Sequence, residues 1–566
     1  LTRVRTQRDE GKIALETDVK TLARHVGIFA SVGSYFWCAG LVGAGDAQKY
    51  PLGPQLKVLA DDLKNPVYRK LVLEKMLLTD LAAEWQRVAT ADNAERFLKK
   101  HGGREKVLAD PALKRAYEVR IQIRDGFLDL MRQGYQRYKQ VPPFDRGATA
   151  EPAGTEVGKA GAAAVHLQVV LPAPGSERQW PRFRGPRGQG ETDTNGLPTV
   201  WDKNGRNILW RTKVPARGNS SPVIWGEHIF LTSASEKGME RSLLCLRLAD
   251  GKLLWSGRAP DTPPEPQVRD KNGYASSTPV TDGERVIAFL GSCGLVCFDF
   301  KGNRQWHHGD LTIRTTHGTG SSPLLYKDLV ILVQDQNQAE SIFLALDKRT
   351  GKKVWQGKRG PAMTWSTPIV VRVGNRDELL FAGAETVKAY DPSSGKELWS
   401  LRGPTIEVVP ALVVGKDMIY SASGRNGPII AFRPGGAGDV TATNLVWRTV
   451  RAGPHVPSPA LAKGRLYVAN DTGVMTCLDA RNGKLIYQAR LNDRFSASPL
   501  VVNDLIYFCG ESGVTYVVRA TNRLDIVGEN DLGSPILASP AAVNGLIVLR
   551  TEHELVCIGR QETAKD

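Results

Sequence analysis

At 566 residues the chain is too long for one ordinary domain and long enough to bury a large core. Its hydrophobic fraction of 41% and charged fraction of 24% are ordinary for a soluble protein. The formal net charge of +16 permits an anionic partner, but Lys and Arg are spread among Asp and Glu with no dense basic run, so no nucleic acid is expected as a partner.

The first 25 residues are polar and end in Arg24-His25; an apolar stretch follows at 26–42, then small residues at Gly45 and Ala47. A basic flank, a short apolar core and small residues predict a secretory signal peptide with an extended N-terminus over 1–47, and hence an exported, periplasmic or cell-envelope protein. An uncleaved membrane anchor is the alternative, the apolar core being slightly short for a span. It would be the chain's one route to membrane contact.

Residues 48–141 have helical texture. Asn65-Pro66 and Asp110-Pro111 each put a capping residue before a proline at a first helical position. Gly102-Gly103 closes one helix, and Leu108, Leu113, Tyr117, Ile121, Phe127 and Met131 fall near the helical period, predicting a helix from 111 to about 139. A small α-helical domain is expected there. The Gly-, Ala- and Pro-rich stretch 142–176 reads as a flexible linker, with a short strand possible over 165–171.

The segment WPRFRGPRGQGETD at 180–193 has the glycines of a phosphate loop, but no apolar strand precedes it and no Gly-Lys-Ser/Thr follows. Trp180 and Phe183 are expected to pin this lead segment to what comes after.

From 177 to 562 the chain repeats. One landmark is a hairpin, AYDPSSGKELW at 389–399, LALDKRTGKKVW at 344–355, and looser copies at 245–255, 297–306 and 477–487. A second is a small hydroxyl residue followed by proline and an apolar run, at Ser221, Thr278, Ser322, Thr367, Ser458, Ser498 and Ser539, with Val409-Pro410 a degenerate copy. Copies lie 40 to 57 residues apart, the period of a four-stranded propeller blade. The expected fold is an all-β propeller of eight blades, or seven if the degenerate one is lost. Trp210, in a strand before the first Ser-Pro, is expected to complete the last blade and so remove the open edge. Cys245, Cys297, Cys477 and Cys557 stand where other copies have Ala345, Ala389 and Ala431, so they read as core. No structural metal is expected.

The pattern Ala-x-Asp-x-x-x-Gly-Lys-Glu-x-Trp at 389–399 resembles the repeat of the pyrroloquinoline quinone (PQQ)-like propellers. The resemblance spans about 180–560 and implies that Trp210, Trp255, Trp306, Trp355 and Trp399 dock between neighbouring blades. It does not choose a function, because the family includes quinoprotein dehydrogenases, the propeller subunit of the outer-membrane protein assembly machinery, and sensor or binding domains.

In such a ring the segments leading into the inner strands share one face with the loops between second and third strands. Arg217, Asn219, Tyr274, His317, Trp365, Glu407, His455 and Arg494 are therefore expected around one mouth of the central channel, as a candidate ligand site. Asp335, Glu385, Arg425, Asp471, Glu511, Glu552 and His553 are expected outside them. The sequence carries no Gly-x-Ser-x-Gly elbow, no His-Glu-x-x-His and no adjacent cysteine pair. The favoured reading is a noncatalytic exported propeller that binds an envelope protein, peptide or glycan, without a cofactor. The alternative is a PQQ-dependent dehydrogenase with quinone and calcium, with Glu407 as its candidate base.

Overall fold

The structure, a computed structural model, describes residues 97–118 and 165–561, apart from 99, 116, 266, 267, 269, 270, 361, 406, 425, 426, 451 and 452. The expected signal peptide, the rest of the helical domain and most of the linker lie outside the described residues. The chain divides into two units, 1–149 and 150–566.

In the first unit, the glycine pair ends a helical turn, with the Gly103 amide bonded to the Leu98 carbonyl at 2.8 Å. A short helix follows at Arg104–Ala109. The Asp110 carboxylate then accepts the amides of Ala112 at 2.8 Å and Leu113 at 3.1 Å, the cap expected before Pro111.

The second unit is a propeller of eight blades. Numbered from the first Ser-Pro, their inner strands are Val223–Trp225, Val280–Thr281, Leu324–Tyr326, Ile369–Val373, Val413–Val414, Ala460–Ala462, Leu500–Val502 and Ala541–Val543. Each leads through an antiparallel meander to an outer strand. The eighth blade takes its outer strand from the start of the propeller: Ile208–Lys213 pairs antiparallel with Glu554–Ile558, with Trp210 opposite Cys557.

The hairpin landmark holds neighbouring blades together. The aromatic of one blade lies in register with a small residue of its own third strand, as Trp255 with Cys245, Trp306 with Cys297 and Trp355 with Ala345. Its indole N–H then donates to a carbonyl in the next blade's hairpin: Trp210 to Leu248, Trp255 to Phe300 and Trp306 to Lys348 at 2.9 Å, and Trp355 to Pro392 at 3.2 Å. The glycine of that hairpin is needed twice. Gly351 and Gly395 have φ of 69° and 71°, and a Cβ on either would lie 2.6 or 2.7 Å from the docking ring. Trp399 departs from the pattern. It is fully buried against blade 5, 6.0 Å from the Phe432 ring, but its N–H turns back to Glu378 of its own blade at 2.8 Å. Trp447, whose blade lacks the Gly-Lys turn, makes the regular bond to Ala480 at 3.0 Å. The six described cysteines are all free and buried, and burial pushes the thiols of Cys245, Cys297 and Cys557 up to about 12.

The hydroxyl of the second landmark has a partner of its own. The amide of Ser221 donates to the Thr278 hydroxyl, Thr278 to Ser322, and Ser322 to Thr367. After a break, Ala411 donates to Ser458, Ser458 to Ser498, Ser498 to Ser539, and Ser539 back to Ser221. These bonds are 2.9–3.2 Å long and form a belt around the axis. A buried amide that cannot reach a ladder partner costs about 1–3 kcal/mol, and here each is met by the adjacent blade.

The lead segment is more than a pin. Trp180 exchanges two backbone bonds with Ile224 of blade 1, and the Pro181 carbonyl accepts from Thr281 of blade 2. Arg182 and Phe183 line a void together with Pro323 and Leu324 of blade 3, and Gly188 faces Ile369 of blade 4. Gln189 bonds Val414 of blade 5, Arg184 the Pro459 carbonyl of blade 6, Gly190 the Val501 amide of blade 7, and Thr194 the Gly545 amide of blade 8. The segment thus reaches the inner-strand region of all eight blades and forms a floor to the channel, with contacts running from the prolines, as at Pro459, to the far ends of the strands, as at Thr281, Val414 and Gly545. The glycines serve close packing: Gly190 has φ of 71°, and a Cβ there would lie 2.6 Å from the Pro499 carbonyl. A strand at Leu167–Val169, inside the stretch read as linker, adds to blade 4 by pairing with Val371–Val373.

Candidate functional site

The segments before the prolines, expected to form the mouth, divide into two sectors. Over blades 3 to 6 the mouth is aromatic and imidazole-rich. His317 and Trp365 meet edge to face at 5.6 Å, and the Trp365 indole N–H donates to the Gly318 carbonyl at 2.9 Å. The backbone ahead of Trp365 is stiffened by a parallel pairing of Met363–Thr364 with Glu407–Val408, which fixes Trp365 beside blade 5. Glu407 continues the row: its Oε1 lies 3.1 Å from Nε2 of His455, the side chains keeping 15% and 27% of their surface exposed.

Over blades 7, 8, 1 and 2 the mouth is a network of ions. The connection from blade 1 to blade 2 crosses it: Lys271 reaches Glu511 of blade 7, Nζ to Oε1 at 2.7 Å. Glu511 also accepts the Ser496 hydroxyl at 2.6 Å and has Arg494 Nε at 3.8 Å. Asn219 donates to the Lys271 carbonyl at 2.7 Å, and Asn272 to that of His317 at 2.7 Å, tying the crossing to blades 1 and 3. Arg217 is exposed, its backbone paired with Ala234.

Two expected mouth residues serve the walls. Tyr274 lies under the guanidinium of Arg241 at 4.9 Å and against Gly238, in the seam between blades 1 and 2. Arg241 is 1% exposed and held by Glu265 through two bonds, at 3.0 and 2.5 Å. Asp335, expected in the outer ring, is 1% exposed and grips Arg359 at 2.9 Å through both oxygens, with the Thr364 hydroxyl also bonded to it. Burial works against the Arg359 charge, yet the Asp335 carboxylate and Tyr390 beside it hold its pKa above the ordinary value. Arg425 lies outside the described residues. Sequence reasoning missed Lys271 and Ser496, because nothing local to either marks it as reaching Glu511.

Among the described residues no three His, Cys, Asp or Glu side chains come together as a metal-holding group. With the cysteines buried and none adjacent to another, the residues present do not fit a quinone–calcium centre stacked on a cysteine pair. Among the described residues no helix is long and apolar enough to cross a membrane.

Comparison with two solved quinohemoprotein structures supports the architecture. The quinohemoprotein alcohol dehydrogenase ADHIIG from Pseudomonas putida HK5 aligns with a TM-score of 0.51 at 11% identity, covering 69% of this chain and 81% of that one. The quinohemoprotein alcohol dehydrogenase from Comamonas testosteroni gives 0.50 at 10%, covering 69% and 82%. BamB from Moraxella catarrhalis gives 0.45 at 14%, covering 63% of this chain and 99% of that one. At these identities the likeness is one of fold. No curated protein matches the chain. The sequence profile of one family, described as outer membrane protein assembly factor BamB, matches residues 191–319, 310–434 and 436–528, more than half of the chain. The chain therefore belongs to the BamB family of β-propellers.

Proposed function

We propose that the protein is a noncatalytic binding or scaffold propeller of the cell envelope that takes a protein or peptide segment at the channel mouth. The observation that carries this reading is the row His317, Trp365, Glu407, His455. It offers a partly exposed aromatic edge next to a hydrogen-bonded carboxylate–imidazole pair, on backbone fixed by pairing between blades. Interfaces draw most of their affinity from such anchored aromatic and polar groups. The family's description as an outer membrane protein assembly factor supports a protein partner and an exported location. The described residues offer no metal-holding group for quinone chemistry, so we propose that neither quinone nor calcium is needed.

The test is purification of the full chain, with absorbance and mass analysis for quinone, and crosslinking to envelope proteins from a photoreactive residue at the exposed position 494. Partner capture that falls about 30-fold or more in a Trp365→Ala variant of unchanged melting temperature supports the reading. A stoichiometric bound quinone, or capture indifferent to the variant, overturns it.

A further inference from the structure

The hydroxyl belt is broken once. Thr367 accepts from Ser322, but the position in blade 5 to which its own amide would donate is Ala411, which stands two residues before its inner strand as Thr367 does and has no hydroxyl. The belt resumes from the Ala411 amide. Among the described residues the Thr367 amide has no hydrogen-bond partner.

A void lies at this break. The void has room for one water-sized guest, the centre of such a sphere moving through about 10 Å³. Thr367 and Ala411, the residues on either side of the gap, are in its wall, with Arg182 of the floor segment and the apolar side chains of Ile369 and Leu412. Arg182 is 4% exposed, and its Nε and Nη2 are spent on the Pro186 carbonyl at 3.2 and 2.9 Å. No carboxylate among the described residues pairs with it, whereas Arg241 and Arg359 are each gripped by two carboxylate oxygens. A guanidinium out of water without a counter-charge is costly. Burial lowers its pKa to about 10, which leaves it charged at neutral pH.

We propose that this void binds one small monovalent anion of chloride size, held by the Arg182 guanidinium and by the amide and hydroxyl of Thr367. The anion supplies the counter-charge Arg182 lacks and the acceptor Ala411 fails to give. It thereby closes the belt between blades 4 and 5 and ties the floor segment to it.

Bromide is the probe. Crystals of the full chain soaked in bromide should show an anomalous peak in the void. The protein should melt at a higher temperature in chloride or bromide than in gluconate of equal ionic strength. Ala411→Ser restores the missing hydroxyl and takes up the Thr367 amide, so bromide affinity should fall roughly fivefold, the worth of one hydrogen bond. Arg182→Gln should abolish bromide binding, and Ala411→Ser keeps the test open if that variant does not fold. A void holding only water, melting indifferent to halide, or equal bromide affinity in Ala411→Ser and the parent overturns the proposal.

Discussion

The floor of the channel and its mouth are both polar, but they are held in different ways. At the floor, the lead segment bonds largely to main-chain groups of the inner strands, as Trp180 to Ile224, Arg184 to Pro459 and Gly190 to Val501. At the mouth, side chain meets side chain: Glu407 with His455, Lys271 and Ser496 with Glu511. Main-chain partners cannot move without moving a strand, whereas paired side chains at a partly exposed rim can exchange one partner for another at little cost. The floor is built to be permanent and the mouth to be replaceable, which is what a recognition surface on a rigid scaffold needs.

The comparison breaks most sharply at Asp335, which stands at the mouth but is built like the floor. Asp335→Ala strands the Arg359 guanidinium, whose own side chain is only 10% exposed, among Phe381 and Tyr390. Losing one partner of a buried pair costs about 3–5 kcal/mol, the largest effect expected here, and denaturant titration would read it. A loss below about 1 kcal/mol would place Asp335 with the replaceable residues.

At the floor, Gly190→Ala should cost about 2–3 kcal/mol by the same measurement, because it adds a Cβ at positive φ and against the Pro499 carbonyl. Gly464→Ala is the control. It has φ of 72° but an open surrounding, so it isolates backbone strain from the close approach.

A smaller, pH-dependent effect is expected at Asp282, in the turn after the inner strand of blade 2. Burial pushes this carboxyl up, but the amides of Arg285 and Glu284 and Lys348 of blade 3 at 3.1 Å outweigh it and hold it below the usual range. A depressed carboxyl stabilises above its unfolded value, and that stability is lost as pH falls through the folded one. Asp282→Asn should therefore cost about 1 kcal/mol at neutral pH. The gap from the parent should close as pH drops below the ordinary carboxylate range, and a gap constant with pH would refute the ionic account.

How much of this was legible in the sequence follows from distance along the chain. The blades, the closure by Trp210 and the core cysteines could be read because each hairpin carries its own turn glycine and aromatic. The Ser/Thr-Pro landmark was visible, but its hydroxyl acts on the same landmark one blade away, so no local pattern reveals the belt. Trp447 was missed because the Gly-Lys turn that marks the other docking residues is absent before it. The glycines of 180–193 gave a weak phosphate-loop signal for a different reason: they let the chain press against the carbonyls and rings of blades it had not yet formed. Tyr274 and Asp335 show the limit at the mouth. Their place in the ring could be counted, but whether a polar side chain there faces the channel or a seam is decided by neighbours such as Gly238 and Arg359.

The smallest expected effect bears most on function. Glu407 and His455 are the hydrogen-bonding half of the proposed recognition row, and the pair keeps partial exposure on both sides. An ion or hydrogen-bonded pair in that setting contributes at most about 1 kcal/mol. Glu407→Gln and His455→Gln, singly and together, should therefore shift unfolding by less than about 1 kcal/mol each while lowering capture of a crosslinked partner several-fold. The two readouts must separate, because residues that organise a replaceable surface affect binding without carrying the fold. If the double variant instead loses stability on the scale expected for Asp335→Ala, the pair belongs to the walls, and recognition would rest on Trp365 and His317 alone.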